Sequence, residues 1–180
     1  AGTDDIWSSL YALDELPRIS VDETVWRVVR EGRDPLLCRP SHGRWDLGHF
    51  DVLYTSLDPE GATAEMYFHL SRQPVFPSRP VFTLNELEVS TSSTLRFADL
   101  TELESLGVDP AAYSDILYER TQEIGDAAAF LGFDGLIAPS ARWDCLNLAI
   151  FCDSLSPDDM VLKASSEIDW EDWRKGQGGT

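Results

Sequence analysis

Hydrophobic positions along the chain change period several times, and each change marks an expected element. Ile6 to Leu16 carries apolar residues at helical spacing, and Pro17 ends the run. "TVWRVV", Thr24 to Val29, has the β-branched and aromatic content of a strand, whose period of two sets Val25, Arg27 and Val29 on one face. An arginine between two valines is unusual, because an unpaired charge in apolar surroundings is costly and calls for a partner or a ligand. "LCRPSHGRWDLGH" reads as a loop, and Asp51 to Thr55 as a second strand with Tyr54 on the face opposite Leu53. Asp58 then suits an N-cap and Pro59 the first helical residue, which starts a helix with Glu65 near its centre. Gly61 and Ala62 lie four and three residues before Glu65, on the same helix face. The surface beside the carboxylate is therefore nearly bare, and either another backbone or a ligand fills it.

From Gln73 to Val108 short apolar pieces alternate with prolines and the cluster "VSTSST", a pattern of strands and loops. Asp109-Pro110 repeats the cap-and-proline signature and opens helical sequence to Leu131, with a break near Gly125 and a stop at Gly132. Leu136 to Ala138 reads as a strand, Ser140 as part of a loop, and Leu148 to Phe151 as another strand. No internal repeat and no low-complexity linker divides the chain, so residues 1–180 are expected to form one domain. Helices and strands mix without βαβ alternation, which makes α+β the expected class.

Composition narrows the function. With 43% hydrophobic and 11% aromatic residues the chain has the content of a folded protein, and no apolar run approaches a membrane span. The net charge of −18 repels a phosphate backbone, so direct nucleic-acid binding is not expected. Cys38, Cys145 and Cys152 show no CxxC spacing, and three is an odd number; reduced thiols in a cytoplasm are expected rather than a disulfide framework. No segment with the features of a signal peptide opens the sequence, which points the same way. His42, His49 and His69 lack any metal-site spacing, and no metal is expected. The cations are less evenly spread than the acids. Arg27, Arg30, Arg33, Arg39 and Arg44 crowd between Trp26 and Trp45, opposed there only by Glu31 and Asp34. Either they pair with surrounding acids, or they build a local site for phosphate or carboxylate, which the guanidinium fork fits.

The familiar nucleotide and nucleophile motifs are absent: no GxGxxG, no GxxxxGK[ST], no GxSxG, and no cysteine with a plausible histidine partner. What remains is a set of polar residues in apolar surroundings: Arg27, Arg44, Tyr54, Glu65 and Ser140. Singly each suits a salt bridge, a turn or a solvated face; together they suggest a cleft.

In that order the blocks "WRVV", "GRWD", "VLYTSLDPEGATAEMYFHL", "TQEIGD" and "GLIAPSARWDCLNLAIF", from about Val25 to Phe151, resemble the RES domain, a family named for its recurrent arginine, glutamate and serine. The resemblance implies a compact α+β domain similar to ADP-ribosyltransferases such as diphtheria toxin, and an activity that consumes NAD+. It further implies a toxin of a bacterial toxin–antitoxin pair, neutralised by an antitoxin that itself binds DNA through a helix-turn-helix. Asp46 departs from the asparagine the family usually has there, which puts the polar role of that side chain in doubt. On this resemblance Glu65 stabilises the sugar cation formed as nicotinamide leaves, Arg27 and Arg44 hold the pyrophosphate or ribose, and Tyr54 stacks on the nicotinamide ring. Ser140 bonds the dinucleotide or Glu65, and Asn147 orients that loop. NAD+ is then a substrate rather than a resident cofactor, with water or phosphate as acceptor, and the bare surface beside Glu65 is there for it. Two other readings stay open: a protein ADP-ribosyltransferase using the same pocket, and a non-catalytic acidic module that binds a basic partner. The chain leaves room for a homo-oligomer.

Overall fold

A computed structural model describes residues 10–177. Six strands form one sheet: β1 (Ile19–Arg30), β2 (Val52–Ser56), β3 (Phe82–Arg96), β4 (Gly135–Pro139), β5 (Leu146–Phe151) and β6 (Met160–Glu167). Their order is β1-β2-β5-β4-β3-β6, and β1 also pairs with β3, so the first five close into a small barrel with β6 added outside on β3. All pairings are antiparallel except β3 with β4. The helices are α1 (Pro59–Ser71), α2 (Leu100–Glu104), α3 (Glu119–Phe130) and α4 (Trp170–Gln177). Mixed strands and helices on one sheet, without doubly wound alternation, match the α+β expectation.

Leu53, Leu87, Leu148 and Ile150 pack on Val25 in one core of the barrel, while Leu95, Ile124, Phe133 and Leu136 form a second core under α3. Asp58 caps α1 through Oδ1, accepting from the N–H groups of Glu60 and Gly61, with Pro59 in the first turn as expected. A 3-10 turn at Ala12–Glu15 precedes Leu16 and Pro17; the start of the expected Ile6–Leu16 helix lies outside the described residues.

Four expectations are corrected. The segment with "VSTSST" is not broken into pieces: β3 runs 15 residues through it. Its buried Thr94 hydroxyl donates to Asp134, and the Ser92 and Ser93 N–H groups donate to the same carboxylate, so the polar run is satisfied without a turn. The helical sequence after Asp109 breaks between Ala112 and Glu119 and not at Gly125, which sits inside α3. A Cβ at Gly125 would lie 1.7 Å from the Trp45 carbonyl oxygen, so the glycine serves a backbone contact. Cys38 and Cys152 are joined in a disulfide, with Cα atoms 6.4 Å apart, against the expected free thiols. Chain folding explains it. Arg39 bridges to Val52, and Val52 faces Phe151 across the β2–β5 ladder, which sets the two preceding and following cysteines side by side.

The fourth correction concerns the gap on α1. A Cβ at Gly61 would meet Cys145 Sγ at 2.5 Å and Ser56 Oγ at 2.6 Å, and Ala62 packs with Val28, Leu70 and Phe82. That face is filled by the protein itself, so small residues there seat α1 on the barrel instead of leaving space for a ligand.

Candidate functional site

Glu65 stands one turn beyond Gly61 on α1, half-buried where the helix meets the ends of β4 and β5. Its Oε1 accepts from the Ser140 hydroxyl at 3.0 Å and from the Asn147 amide at 3.2 Å. The donors come from both sides of one hairpin: Ser140 follows β4, and Asn147 lies in β5 opposite Ala138. The hairpin is closed by the Ser140 N–H donating to the Cys145 carbonyl and by the Arg142 N–H donating to Ser140 Oγ. Both contacts to Glu65 use one carboxylate oxygen, and Asn147 Oδ1 is buried without a partner. The second carboxylate oxygen has no hydrogen-bond partner among the described residues, so its acceptor capacity is unused.

Arg44 is held by aromatic faces. Its guanidinium carbon lies 4.6 Å from the Tyr113 ring centre and 4.7 Å from that of Tyr118, and Nη1 donates to the Tyr113 carbonyl at 2.7 Å. Tyr113 is anchored in turn by its hydroxyl, which donates to the Pro139 carbonyl at 2.6 Å beside Ser140. Burial pushes the Tyr113 hydroxyl up to about 12, with Arg44 opposing and Glu65 adding. The arginine and the glutamate thus act on one tyrosine with opposite sign. His69, a further turn along α1, is held below its ordinary value by desolvation; Glu65 opposes this, and Arg142, Arg72 and Arg44 add to it.

The loop carrying Arg44 owes its shape to Asp46, whose side chain is fully buried. Its carboxylate accepts from the N–H groups of Ser41, His42 and Gly43 and from the Tyr54 hydroxyl. Burial pushes the Asp46 carboxyl up, and these hydrogen bonds outweigh it, leaving the carboxyl below its ordinary range. The doubt that Asp46 raised about a polar role is resolved: the side chain organises four donors. From the other side Gln122 of α3 donates to the Gly43 carbonyl at 2.9 Å.

Tyr54 belongs to the same arrangement. Its hydroxyl donates to Asp46 and accepts from the Trp45 N–H, and burial first, then Asp46, raises its pKa. Arg27, half-buried in β1, donates through Nη1 to the Tyr54 carbonyl at 2.9 Å, while its Nε is buried without a partner. Desolvation lowers its pKa, and the nearby Arg39 lowers it further. No carboxylate forms an ion pair with Arg27, Arg44 or Arg142 among the described residues.

Of the expected residues, Glu65, Ser140 and Asn147 meet directly; Arg44 joins them through Tyr113, and Arg27 and Tyr54 meet on the adjacent strands β1 and β2. Arg142, Tyr113, Tyr118 and Gln122 were not singled out. "PSARW" places Arg142 two residues past Ser140 and "TQEIGD" carries Gln122, which were the available signals; the tyrosines come from distant sequence with none.

The RES-domain family model matches residues 24–171, and the chain belongs to that family. No curated protein sequence matches it. In fold it is similar to a chain from the crystal structure of the M. tuberculosis MbcT–MbcA toxin–antitoxin complex. The TM-score is 0.80 at 18% identity, covering 93% of this chain and 95% of that one. Among the described residues no helix is long and apolar enough to cross a membrane.

Proposed function

We propose that this chain is the toxin of a toxin–antitoxin pair and cleaves the nicotinamide–ribose bond of NAD+. The observation that carries the chemistry is Glu65, fixed by Ser140 and Asn147 through one oxygen and acting electrostatically on Tyr113, one of the two tyrosines that hold Arg44. Family membership and the fold shared with a toxin–antitoxin structure support the biological role. The likeness to ADP-ribosyltransferases is part of the same proposal, since those enzymes face the same leaving group.

In the reaction the glycosidic C–N bond breaks, and its electron pair passes to the pyridinium nitrogen, so nicotinamide leaves neutral. The C1′ carbon becomes positive, and the free edge of Glu65 stabilises it where little water competes. The acceptor oxygen, from water or phosphate, then bonds to C1′; a water proton is lost toward Glu65 or solvent. Ser140 and Asn147 hold the carboxylate in register, so it need not reorganise as charge develops. Asn147 Oδ1 accepts a ribose hydroxyl. Arg44 meets the pyrophosphate, and Tyr54 lines the nicotinamide side with its hydroxyl fixed by Asp46. The second binding arginine is Arg27, whose unpartnered Nε offers a donor.

Neutralisation falls to an antitoxin that binds DNA through a helix-turn-helix and covers this rim. The setting is cytoplasmic, and the Cys38–Cys152 bond is then a structural feature that reducing conditions act upon.

Purified protein incubated with NAD+, with and without phosphate, tests the reading through product masses. Nicotinamide with ADP-ribose indicates water as acceptor, and nicotinamide with a phosphorylated ADP-ribose indicates phosphate. ADP-ribose appearing only on added proteins would replace this reading with a protein ADP-ribosyltransferase, and no turnover in any arm would overturn it.

A further inference from the structure

We propose that Arg142, together with Arg44, forms a two-arginine clamp for the pyrophosphate of the dinucleotide; the assignment rests on the proposed function above. Arg142 sits in the β4–β5 loop between Ser140 and Cys145. Its guanidinium carbon lies 3.3 Å from the centre of the Phe68 ring, so the group lies flat on a residue of α1 three positions after Glu65. Stacking occupies the face of a guanidinium and leaves its edge of N–H donors available. One of these, Nη2, is buried without a hydrogen-bond partner.

Two further observations point to an anion. Arg142 forms no ion pair among the described residues, although the chain has 32 acidic side chains against 14 basic ones. Arg142 and Arg44 act on each other electrostatically, and Tyr118, whose ring centre lies 4.7 Å from the Arg44 guanidinium carbon, acts on Arg142 as well. Desolvation holds the Arg142 pKa below its ordinary value; Glu65 and Tyr118 oppose that, and Arg44 adds to it. Like charges held together and partly desolvated are stabilised by a bridging anion, and a pyrophosphate offers oxygens to both forks. Arg27 donates to the Tyr54 carbonyl, and the charge that acts on it is Arg39 and not Arg44 or Arg142.

The test compares wild type with Arg142→Ala and Arg142→Lys, using calorimetric binding of ADP-ribose and steady-state NAD+ turnover. Arg142→Ala is expected to weaken ADP-ribose binding about tenfold or more and to raise KM by a similar factor with kcat largely kept. Arg142→Lys should recover part of the loss, as a point charge without the fork. A lowered kcat at unchanged KM would instead make Arg142 a support of the Ser140 loop and overturn the clamp. Unchanged ADP-ribose affinity in Arg142→Ala would overturn the clamp and leave the proposed function standing. Wild-type protein that neither binds ADP-ribose nor consumes NAD+ would overturn both.

Discussion

Asp46 and Glu65 are both carboxylates set at the edge of the barrel, and they are handled in opposite ways. Asp46 is fully buried and takes three backbone N–H donors and a tyrosine hydroxyl, which use its oxygens from several directions. Glu65 is half-buried and takes two side-chain donors on one oxygen. A carboxylate saturated by local donors stabilises a loop and has little left to offer. One held through a single edge is oriented without being consumed. The residue that shapes the site and the residue available to a substrate can thus be told apart by how their hydrogen bonds are distributed.

The largest effect expected from this contrast is on stability. Asp46→Ala leaves the Ser41, His42 and Gly43 N–H groups and the Tyr54 hydroxyl without their acceptor, and a loss of about 3 kcal/mol is expected in chemical denaturation. Glu65→Ala should change stability by about 0.5 kcal/mol or less, because no backbone donor depends on it. Equal losses from the two changes would dissolve the distinction.

Gly125→Ala attacks the Asp46 loop from the helix side. Its Cβ would run into the Trp45 carbonyl, and α3 or the loop must shift, at a cost of about 2 kcal/mol. A variant as stable as wild type would show that the loop and α3 separate freely, leaving Asp46 as the loop's sole support.

Much of this contrast is legible in the sequence, though unevenly. The Asp58-Pro59 signature sets the start of the Glu65 helix because capping is local chemistry, and β2, β4 and β5 are short runs whose pattern needs no distant partner. β3 is not legible in the same way. A Ser/Thr cluster favours turns unless its hydroxyls find partners, and the partner here, Asp134, lies 40 residues beyond Thr94. Its alternation is nonetheless present, with Leu87, Val89 and Thr91 buried between Glu86, Glu88 and Ser90. At the site, the family blocks carry Glu65, Ser140 and Asn147. Tyr113 and Tyr118 escape because they are ordinary helix-flanking residues until the fold lays them on Arg44. The disulfide escapes for the same reason: cysteines 114 positions apart are brought together only by the strand ladder.

A smaller effect sharpens the Glu65 side. Ser140→Ala and Asn147→Ala each remove one of the two donors that orient the carboxylate, and each should lower kcat about tenfold, near 1.4 kcal/mol, at little change in melting temperature. If neither changes kcat, Glu65 is oriented by something else or its orientation does not matter.

The smallest effect is a pH dependence on the Asp46 side. Its folded-state carboxyl is depressed, so its stabilisation is fully present above the unfolded value near 4 and is lost as pH falls through the lower folded value. Between pH 5 and pH 2 the wild type should lose stability more steeply than Asp46→Asn, which carries no titrating group there. Parallel acid limbs would show that Asp46 adds nothing as an anion beyond what an amide provides.

If Glu65 acts by its charge on a developing sugar cation, Glu65→Gln separates charge from shape, because it keeps size and reach while deleting that charge. NAD+ turnover and ADP-ribose affinity are measured on the same folded sample. In Glu65→Gln, kcat should fall roughly a hundredfold, about 3 kcal/mol of transition-state stabilisation, with ADP-ribose affinity and melting temperature close to wild type. A folded Glu65→Gln protein that consumes NAD+ at the wild-type rate would contradict that role for the charge.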